Sequence, residues 1–257
     1  MQSPFIVNDK SLVLARYPQA QINRTLQAWD SADELIIKHL HSNNLLADNK
    51  TIAIFNDNFG ALSLSLLNHK VTSYSDSVIS HLGIIQNAQS NGLALDNLTL
   101  SDCTKNLQFS PDIVLLKIPK SLSLLALQLH LISQVVSKQT IIIAGARVKD
   151  IQASSFKLFE QYIGTTTTSL AEKKARLVFC QPENNSHVHP PTPKQWPLEH
   201  TPYTISNLAN VFARERLDIG ARFMLQHLPK YTDNSHIIDL GCGNGVLGLM
   251  SLTQNPS

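Results

Sequence analysis

Ile237-Ile238-Asp239-Leu240-Gly241-Cys242-Gly243-Asn244-Gly245-Val246-Leu247-Gly248-Leu249 reads as an apolar strand, a tight glycine turn and the start of a helix. Residues 243–248 satisfy the G-x-G-x-x-G pattern, in which small residues allow a backbone to approach a nucleotide-like ligand closely. That pattern is shared by dinucleotide-binding turns and by turns with no ligand. Three neighbours favour S-adenosylmethionine instead. Asp239 lies inside the strand end, where its carboxylate can orient the turn or reach a cofactor. Gly241 adds a small residue before the turn, and Asn244 places a polar group at its tip. A nicotinamide site would need an acid about 20 positions further on, past Ser257, so that test does not separate an oxidoreductase from a methyl-transfer enzyme.

The stretch has an echo near the other end of the chain. At an offset of 185, Ile52, Gly60, Leu62 and Leu64 meet Ile237, Gly245, Leu247 and Leu249. Upstream, at an offset of 188, Asp30, His39 and Leu40 meet Asp218, His227 and Leu228. A helix, a strand, a glycine turn and a second helix thus recur in one order, which predicts a duplication.

Between the two copies, short β-rich apolar runs alternate with amphipathic stretches. Strands are expected at Thr51–Asn56, Val71–Ser75, Leu98–Asp102, Asp112–Leu116, Thr140–Ala144 and Arg176–Cys180. Helices are expected to open at Gly60–Leu67 and to span Ser77–Ser90, closed by Asn91-Gly92, then Leu122–Val136. A further helix is capped by Asp150 and runs to Tyr162. The alternation predicts an α/β fold with a mostly parallel sheet covered on both faces. Six of the twelve prolines fall between Pro182 and Pro202, and such sequence resists both helix and sheet interior. The expected division is therefore a domain over 1–181, a linker over 182–202 and a second domain from 203. Trp196–Leu198 and Tyr203–Ile205 could form a small hairpin, followed by a helix over Asp218–Leu228 stopped by Pro229.

Composition excludes several classes. No apolar run approaches the roughly 20 residues of a membrane helix, and the first ten residues lack the pattern of a signal peptide. Three widely spaced cysteines, Cys103, Cys180 and Cys242, argue for reduced, buried thiols in a cytoplasmic protein. His187 and His189 have ligand-like spacing but sit in proline-rich sequence without a thiol or carboxylate cluster, so no metal is expected. Trp29 is expected in the core. Charge is uneven: residues 1–100 hold 6 Lys/Arg and 8 Asp/Glu, whereas residues 101–180 hold 10 and 5. The second segment could present a basic surface to phosphates.

Asp239-Leu240-Gly241-Cys242-Gly243-Asn244-Gly245 resembles the first motif of Rossmann-like methyltransferases. The segment from Val211 to Phe223 resembles the one that precedes that motif in bacterial rRNA guanine-N2 methyltransferases. Further similarities to this family lie at Leu26–Asp30, Phe55–Asp57, Leu116–Lys120, Ala144–Ala146, Thr165–Thr168 and Lys173–Leu177. The large-subunit (23S) branch is the nearer one and the small-subunit (16S) branch the alternative. The resemblance implies two methyltransferase-like domains, a degenerate N-terminal copy that helps bind RNA and a catalytic C-terminal copy. It also implies a monomer acting on protein-free 23S rRNA. Asn56 and Asn58 stand where the second copy has Gly241 and Gly243, which adds side chains where a cofactor needs space. The family's acceptor motif is Asn-Pro-Pro-aromatic after the fourth strand; here the N-terminal copy has Lys117-Ile118-Pro119-Lys120. An Asn carbonyl can accept a hydrogen bond from a base amine, and an ammonium cannot.

For the cofactor, Asp239, Gly241, Gly243, Asn244 and Gly245 are the expected contacts, with Phe212, Arg214 and Asp218 as secondary candidates. For RNA they are Lys117, Lys120, Arg147, Lys149, Lys173, Lys174 and Arg176. No catalytic acceptor residue is named, because the acceptor motif does not occur in the chain. The second domain is expected to be incomplete and the chain to be inactive in methyl transfer, which leaves a non-catalytic RNA-binding module as the alternative reading.

Overall fold

The computed structural model describes residues 4–7, 10–18, 26–47, 49–183, 188–230 and 236–255. They fall into two compact units, 1–190 and 191–257, and each is treated by itself.

The first unit opens with a hairpin, β1 (Phe5–Val7) against β2 (Lys10–Leu12), and helix α1 (Ser31–Ser42). Then follow β3 (Thr51–Phe55), β4 (Lys70–Ser75), α2 (Val78–Ser90), β5 (Leu98–Asp102), β6 (Ile113–Lys117), α3 (Leu122–Ser133), β7 (Ile141–Arg147), α4 (Ala153–Tyr162), β8 (Thr166–Thr168) and β9 (Ala175–Cys180). Seven strands form one sheet in the order β5-β4-β3-β6-β7-β9-β8. The first five are parallel, and β9 runs antiparallel to both β7 and β8. The strand order reverses between β3 and β6, so the crevice where open α/β sheets bind ligands lies at their carboxyl ends.

Period-two alternation sorts each central strand between two cores. Ile52, Ile54, Ile113, Leu115 and Ile143 pack with Ile36, Ile37 and Leu40 of α1 and Ile84 of α2. Ala53, Phe55, Val114, Leu116, Ile142 and Ala144 pack with Leu125, Leu129 and Ile132 of α3 and Phe159 of α4. A doubly wound α/β architecture is thus observed. Trp29 belongs to the first core, buried edge-to-face against Phe5 at 5.5 Å between ring centroids.

Several boundaries differ from expectation for local reasons. Residues after Gly60 make a turn and a 3-10 segment, Leu64–Leu66, not an opening α-helix. The chain must start β4 at Lys70, whose amide bonds Lys50 O at 2.9 Å, and this leaves no length for one. Asp150 does not cap α4; it bonds Arg147 Nε at 2.7 Å, and the helix starts after Gln152. Strand β7 continues to Arg147 because β9 pairs with it through Arg147↔Ala175, a neighbour 28 or more residues later in the chain that its own sequence does not announce. The hairpin β1–β2 and the strand β8 are additions.

In the second unit, β10 (Lys194–Pro197) pairs with β11 (Thr204–Asn207), followed by α5 (Ile219–Leu225) and α6 (Val246–Gln254). Strand β10 therefore occupies part of the expected linker: its backbone pairs with β11, and Trp196 Nε1 donates to Arg214 O at 3.1 Å. Leu198, Ile205, Leu217 and Val246 form a small core. Ile237–Leu240 does not form the expected strand. A strand needs a neighbour for its backbone groups, and none lies alongside it among the described residues. Ile238 and Leu240 are 88% and 95% exposed.

Gly164 is the glycine with the firmest steric requirement. Its φ is 147°, and a Cβ there would lie 2.4 Å from Gln181 O. Gly164→Ala is expected to destabilise the first unit by about 1–3 kcal/mol, read as a lower urea midpoint. Gly92→Ala, with nothing within 4 Å of the added carbon but a φ of 62°, should cost about 1 kcal/mol.

Candidate functional site

In the first unit the crevice between β3 and β6 is filled by the protein's own side chains. Asn56 follows β3 with a left-handed φ of 63°. Its Nδ2 donates to Lys117 O at 2.8 Å and to Gln128 Oε1 at 2.9 Å, while Gln128 Nε2 donates back to Asn56 Oδ1 at 2.7 Å. The next residue, Asp57, is buried and accepts the amides of Gly60, Leu62 and Ser63 at 3.0, 3.2 and 2.7 Å. Amides at the start of such a turn attract anions; here the anion is internal. Asn58, expected to crowd a cofactor, is exposed.

Lys117 completes the closure. Its ammonium lies 2.7 Å from Asp33 and 2.9 Å from Asp30, and the residue is 9% exposed. Both carboxylates come from the N-terminus of α1. Asp30 is its N-cap, accepting Ala32 N at 2.9 Å, and Asp33 accepts Asp30 N in return at 2.9 Å, forming a capping box. Burial opposes charge on all three groups. For Lys117 the two carboxylates outweigh burial and raise its pKa; for Asp30 the ammonium and three hydrogen bonds outweigh it and lower the pKa. Asp33 lies deeper, and burial, only partly offset by Lys117, pushes it up to about 6. A charge so engaged is withdrawn from any phosphate. Lys117 is therefore corrected from RNA contact to structural ion pair.

The other basic candidates share one rim. Lys120 follows β6, Arg147 ends β7 and Lys149 follows it. Lys173, Lys174 and Arg176 flank the start of β9, which lies beside the end of β7. Lys120, Lys149 and Lys174 are exposed and have no ion-pair partner among the described residues. Arg147 pairs with Asp150, and Lys173 with Glu34 at 2.8 Å. Cys103 and Cys180 are buried, and burial pushes both thiols up to about 11. Cys242 was expected to be buried too, but it is exposed, because its turn faces outward. His187 lies outside the described residues. Among those described, no three metal-ligating side chains cluster and no helix is long and apolar enough to cross a membrane.

The second unit presents the other glycine turn in a contrasting state. Gly241, Gly243 and Gly245 take φ values of 77°, 54° and 78°, a region that disfavours residues with a Cβ. A Cβ on Gly241 or Gly245 would meet nothing within 4 Å, and one on Gly243 would meet Phe212 at ordinary contact distance, 3.6 Å. The backbone is therefore bare and approachable, as a nucleoside cofactor at the start of α6 requires, so these residues fit S-adenosylmethionine. Asp239 Oδ2 accepts Gly248 N at 3.1 Å and ties the segment before the turn to α6. A cleft of about 310 Å³ is lined by residues 212–219. The remaining candidates are engaged elsewhere. Asn244 Nδ2 bonds Asn207 Oδ1 at 3.1 Å, Asp218 caps α5 through Ala221 N at 3.0 Å, and Arg214 pairs with Glu215.

The sheet order and the bare glycine turn define a Rossmann-like, S-adenosylmethionine-dependent methyltransferase class. Family models agree, matching an RLMG N-terminal domain over residues 2–184 and a methyltransferase small domain over 202–257. Ribosomal RNA large subunit methyltransferase G of Colwellia psychrerythraea is 48% identical, over 100% of this chain and 69% of its own length. Among solved structures, the 16S rRNA guanine-N2 methyltransferase RsmC of T. thermophilus, in complex with AdoMet and guanosine, shares the fold. Its TM-score is 0.60 at 14% identity, covering 89% of this chain and 57% of that one. The chain belongs to the ribosomal RNA large subunit methyltransferase G family.

Sequence reasoning missed the partners of Lys117. Asp30 stood out only as the counterpart of Asp218 in the repeat, and its pairing was not legible because Lys117 lies 87 residues from it. Removing one partner of a buried ion pair costs about 3–5 kcal/mol. Lys117→Met is expected to destabilise the first unit by that amount, against less than about 0.5 kcal/mol for Lys120→Met, in urea unfolding followed by circular dichroism. The pH dependence has a definite sign. Because folding raises the Asp33 pKa from 3.8 to about 6, its contribution is largest below 3.8 and declines as pH rises toward 6. Asp30 acts oppositely, its contribution being lost as pH falls below 3.8. Asp33→Asn should abolish the decline between about pH 4 and 6; a urea midpoint that still falls across that interval would contradict the assignment.

Proposed function

We propose that this chain carries the RNA-binding domain and the cofactor turn of an enzyme that methylates the exocyclic amine of a guanine in protein-free 23S rRNA, acting as a monomer in the cytoplasm. The observation that carries this reading is the contrast between the two glycine turns. One is closed by Asn56, Asp57 and Gln128, and the other is bare at Gly241 and Gly245. In this reading the units are duplicated domains, one degenerate, divided within the proline-rich segment. The left-handed pairs Asn56/Gly241 and Gly60/Gly245 and the matched helix caps Asp30 and Asp218 support the duplication.

S-adenosylmethionine, when bound, supplies a methyl group already activated on a sulfonium, so the protein's task is positioning and desolvation. Gly241, Gly243 and Gly245 would hold it by close backbone approach, Phe212 would border it beside Gly243, and Asp239 holds the turn against α6. On the first unit, Lys120, Lys149, Lys174 and Arg176 would grip phosphates, with Arg147 and Lys173 at their flanks. Such contacts give affinity and salt sensitivity more than sequence choice. The target base must be accessible in a loop or removed from its stack.

A second reading applies to the chain by itself. Its 257 residues contain no Asn-Pro-Pro-aromatic run, and Ile237–Leu240 has no strand partner among the described residues. Alone, the chain acts as an RNA-binding module.

Labelled S-adenosylmethionine and naked 23S rRNA should therefore give no methyl incorporation with this chain, and turnover would refute the module reading. Combined Lys120→Glu, Lys149→Glu and Lys174→Glu should weaken RNA binding at least roughly tenfold and lower the salt slope by about 2. Unchanged affinity in fluorescence anisotropy would remove the rim from the RNA site.

A further inference from the structure

Leu170 is 90% exposed, more than any other large apolar residue described in the first unit. It lies in the loop joining β8 to β9. Ser169 N bonds Leu177 O at 3.1 Å, and Glu172 and Ala175 exchange bonds at 2.9 and 2.8 Å. Leu170 and Ala171 therefore stand opposite the single residue Arg176. This is a β-bulge, a device that re-aims a side chain at a sheet margin. The tip beyond it is closed by Lys173 and Lys174, both left-handed, with φ values of 47° and 64°. Paired left-handed residues make the tight hairpin turn that normally selects Asn-Gly, so two lysines here hold a strained conformation. The tip is braced against α1 by two ion pairs, Lys38–Glu172 at 2.7 Å and Lys173–Glu34 at 2.8 Å. Beside it, Val148 is 40% exposed and its amide bonds Lys174 O at 2.8 Å. Arg176 Nε is buried without a hydrogen-bond partner among the described residues.

A braced, strained tip that carries an exposed apolar side chain on the same short hairpin as the exposed Lys174 and the half-buried Arg176 matches a particular ligand. Duplex RNA offers phosphates but no exposed base face. A single strand offers both, phosphates for Lys174 and Arg176 and an unstacked base for Leu170. We infer that the 169–176 hairpin tip is a single-strand RNA contact, with Leu170 packed on the face of an unstacked base and Lys174 and Arg176 on the adjoining phosphates. This rests on the proposed RNA-binding role of the first unit and adds the element, the side chain and the strandedness.

The test uses the full chain and a labelled mixed-sequence oligoribonucleotide of about 12 nucleotides, free or annealed to its complement. The wild type should prefer the single strand. Leu170→Ser, at an exposed position where folding stability is little affected, should weaken single-strand binding roughly fivefold. It should leave the duplex affinity and the salt slope unchanged. Lys174→Gln should weaken both and lower the slope by about 1. Leu170→Trp should retain binding, with its added fluorescence quenched by the single strand and not by the duplex. Equal single-strand affinity of wild type and Leu170→Ser, or quenching of Leu170→Trp by both RNAs alike, overturns the inference while the RNA-binding role stands. A wild type that binds neither RNA overturns both.

Discussion

The ammonium of Lys117 is buried at the carboxyl end of a central strand, and much of the first unit is arranged around keeping it charged. An unpaired ammonium there would be expelled or neutralised. Two carboxylates from the first turn of α1 reach it at 2.7 and 2.9 Å. The same carboxylates close the capping box that starts the helix. One cluster thus sets where α1 begins, how it lies across the sheet and what stands in the crevice between β3 and β6. Asn56 adds a bond to the carbonyl of Lys117 and a reciprocal pair with Gln128, so the strands' ends, α1 and α3 meet in one polar network.

That network explains how a sheet built for ligand binding can serve another role. In open α/β folds the ligand crevice exists because strand order reverses and the loops on either side diverge. The first unit keeps the reversal and fills the crevice with satisfied polar groups. Asp57 gives the turn amides their anion, and Lys117 gives Asp33 its counter-charge. The same rim carries exposed cations, at Lys120 after β6, Lys149 after β7 and Lys174 before β9. In the second unit the balance is reversed: three left-handed glycines leave the turn uncovered, and the side chains around it, Asn244, Asp218 and Arg214, are used to hold the segments that frame it.

Legibility in the sequence followed the range of the interactions. Strands β3 to β7, α2 and α3 are written in nearest-neighbour patterns: apolar β-rich runs, amphipathic stretches between them, and Asn91-Gly92 as a stop. The differences arise where the presence or absence of a partner, near or far in the chain, decides the outcome. Asp150 met Arg147, three residues away, instead of capping α4, β7 was prolonged by β9, and Ile237–Leu240, apolar enough for a strand, had no strand beside it among the described residues. The basic residues lie along one rim because they follow or flank strand ends. Which of them faces solvent could not be read from that grouping.

The sequence by itself determined the α/β class, the glycine turn that fits a methyl-donor cofactor, and the family, because these rest on local periodicity, small residues at fixed spacing and motif similarity. Tertiary structure alone decided that Lys117 is a structural ion pair, that Asp57 occupies its own turn, and that Leu170 stands exposed at a bulge. The physical reason is the same in each case. A side chain's charge or apolarity is local information, whereas its partner is chosen by packing, 87 positions away for Lys117 and Asp30 and within six for Asp57, and the partner determines whether the group stabilises the fold or remains available to a ligand.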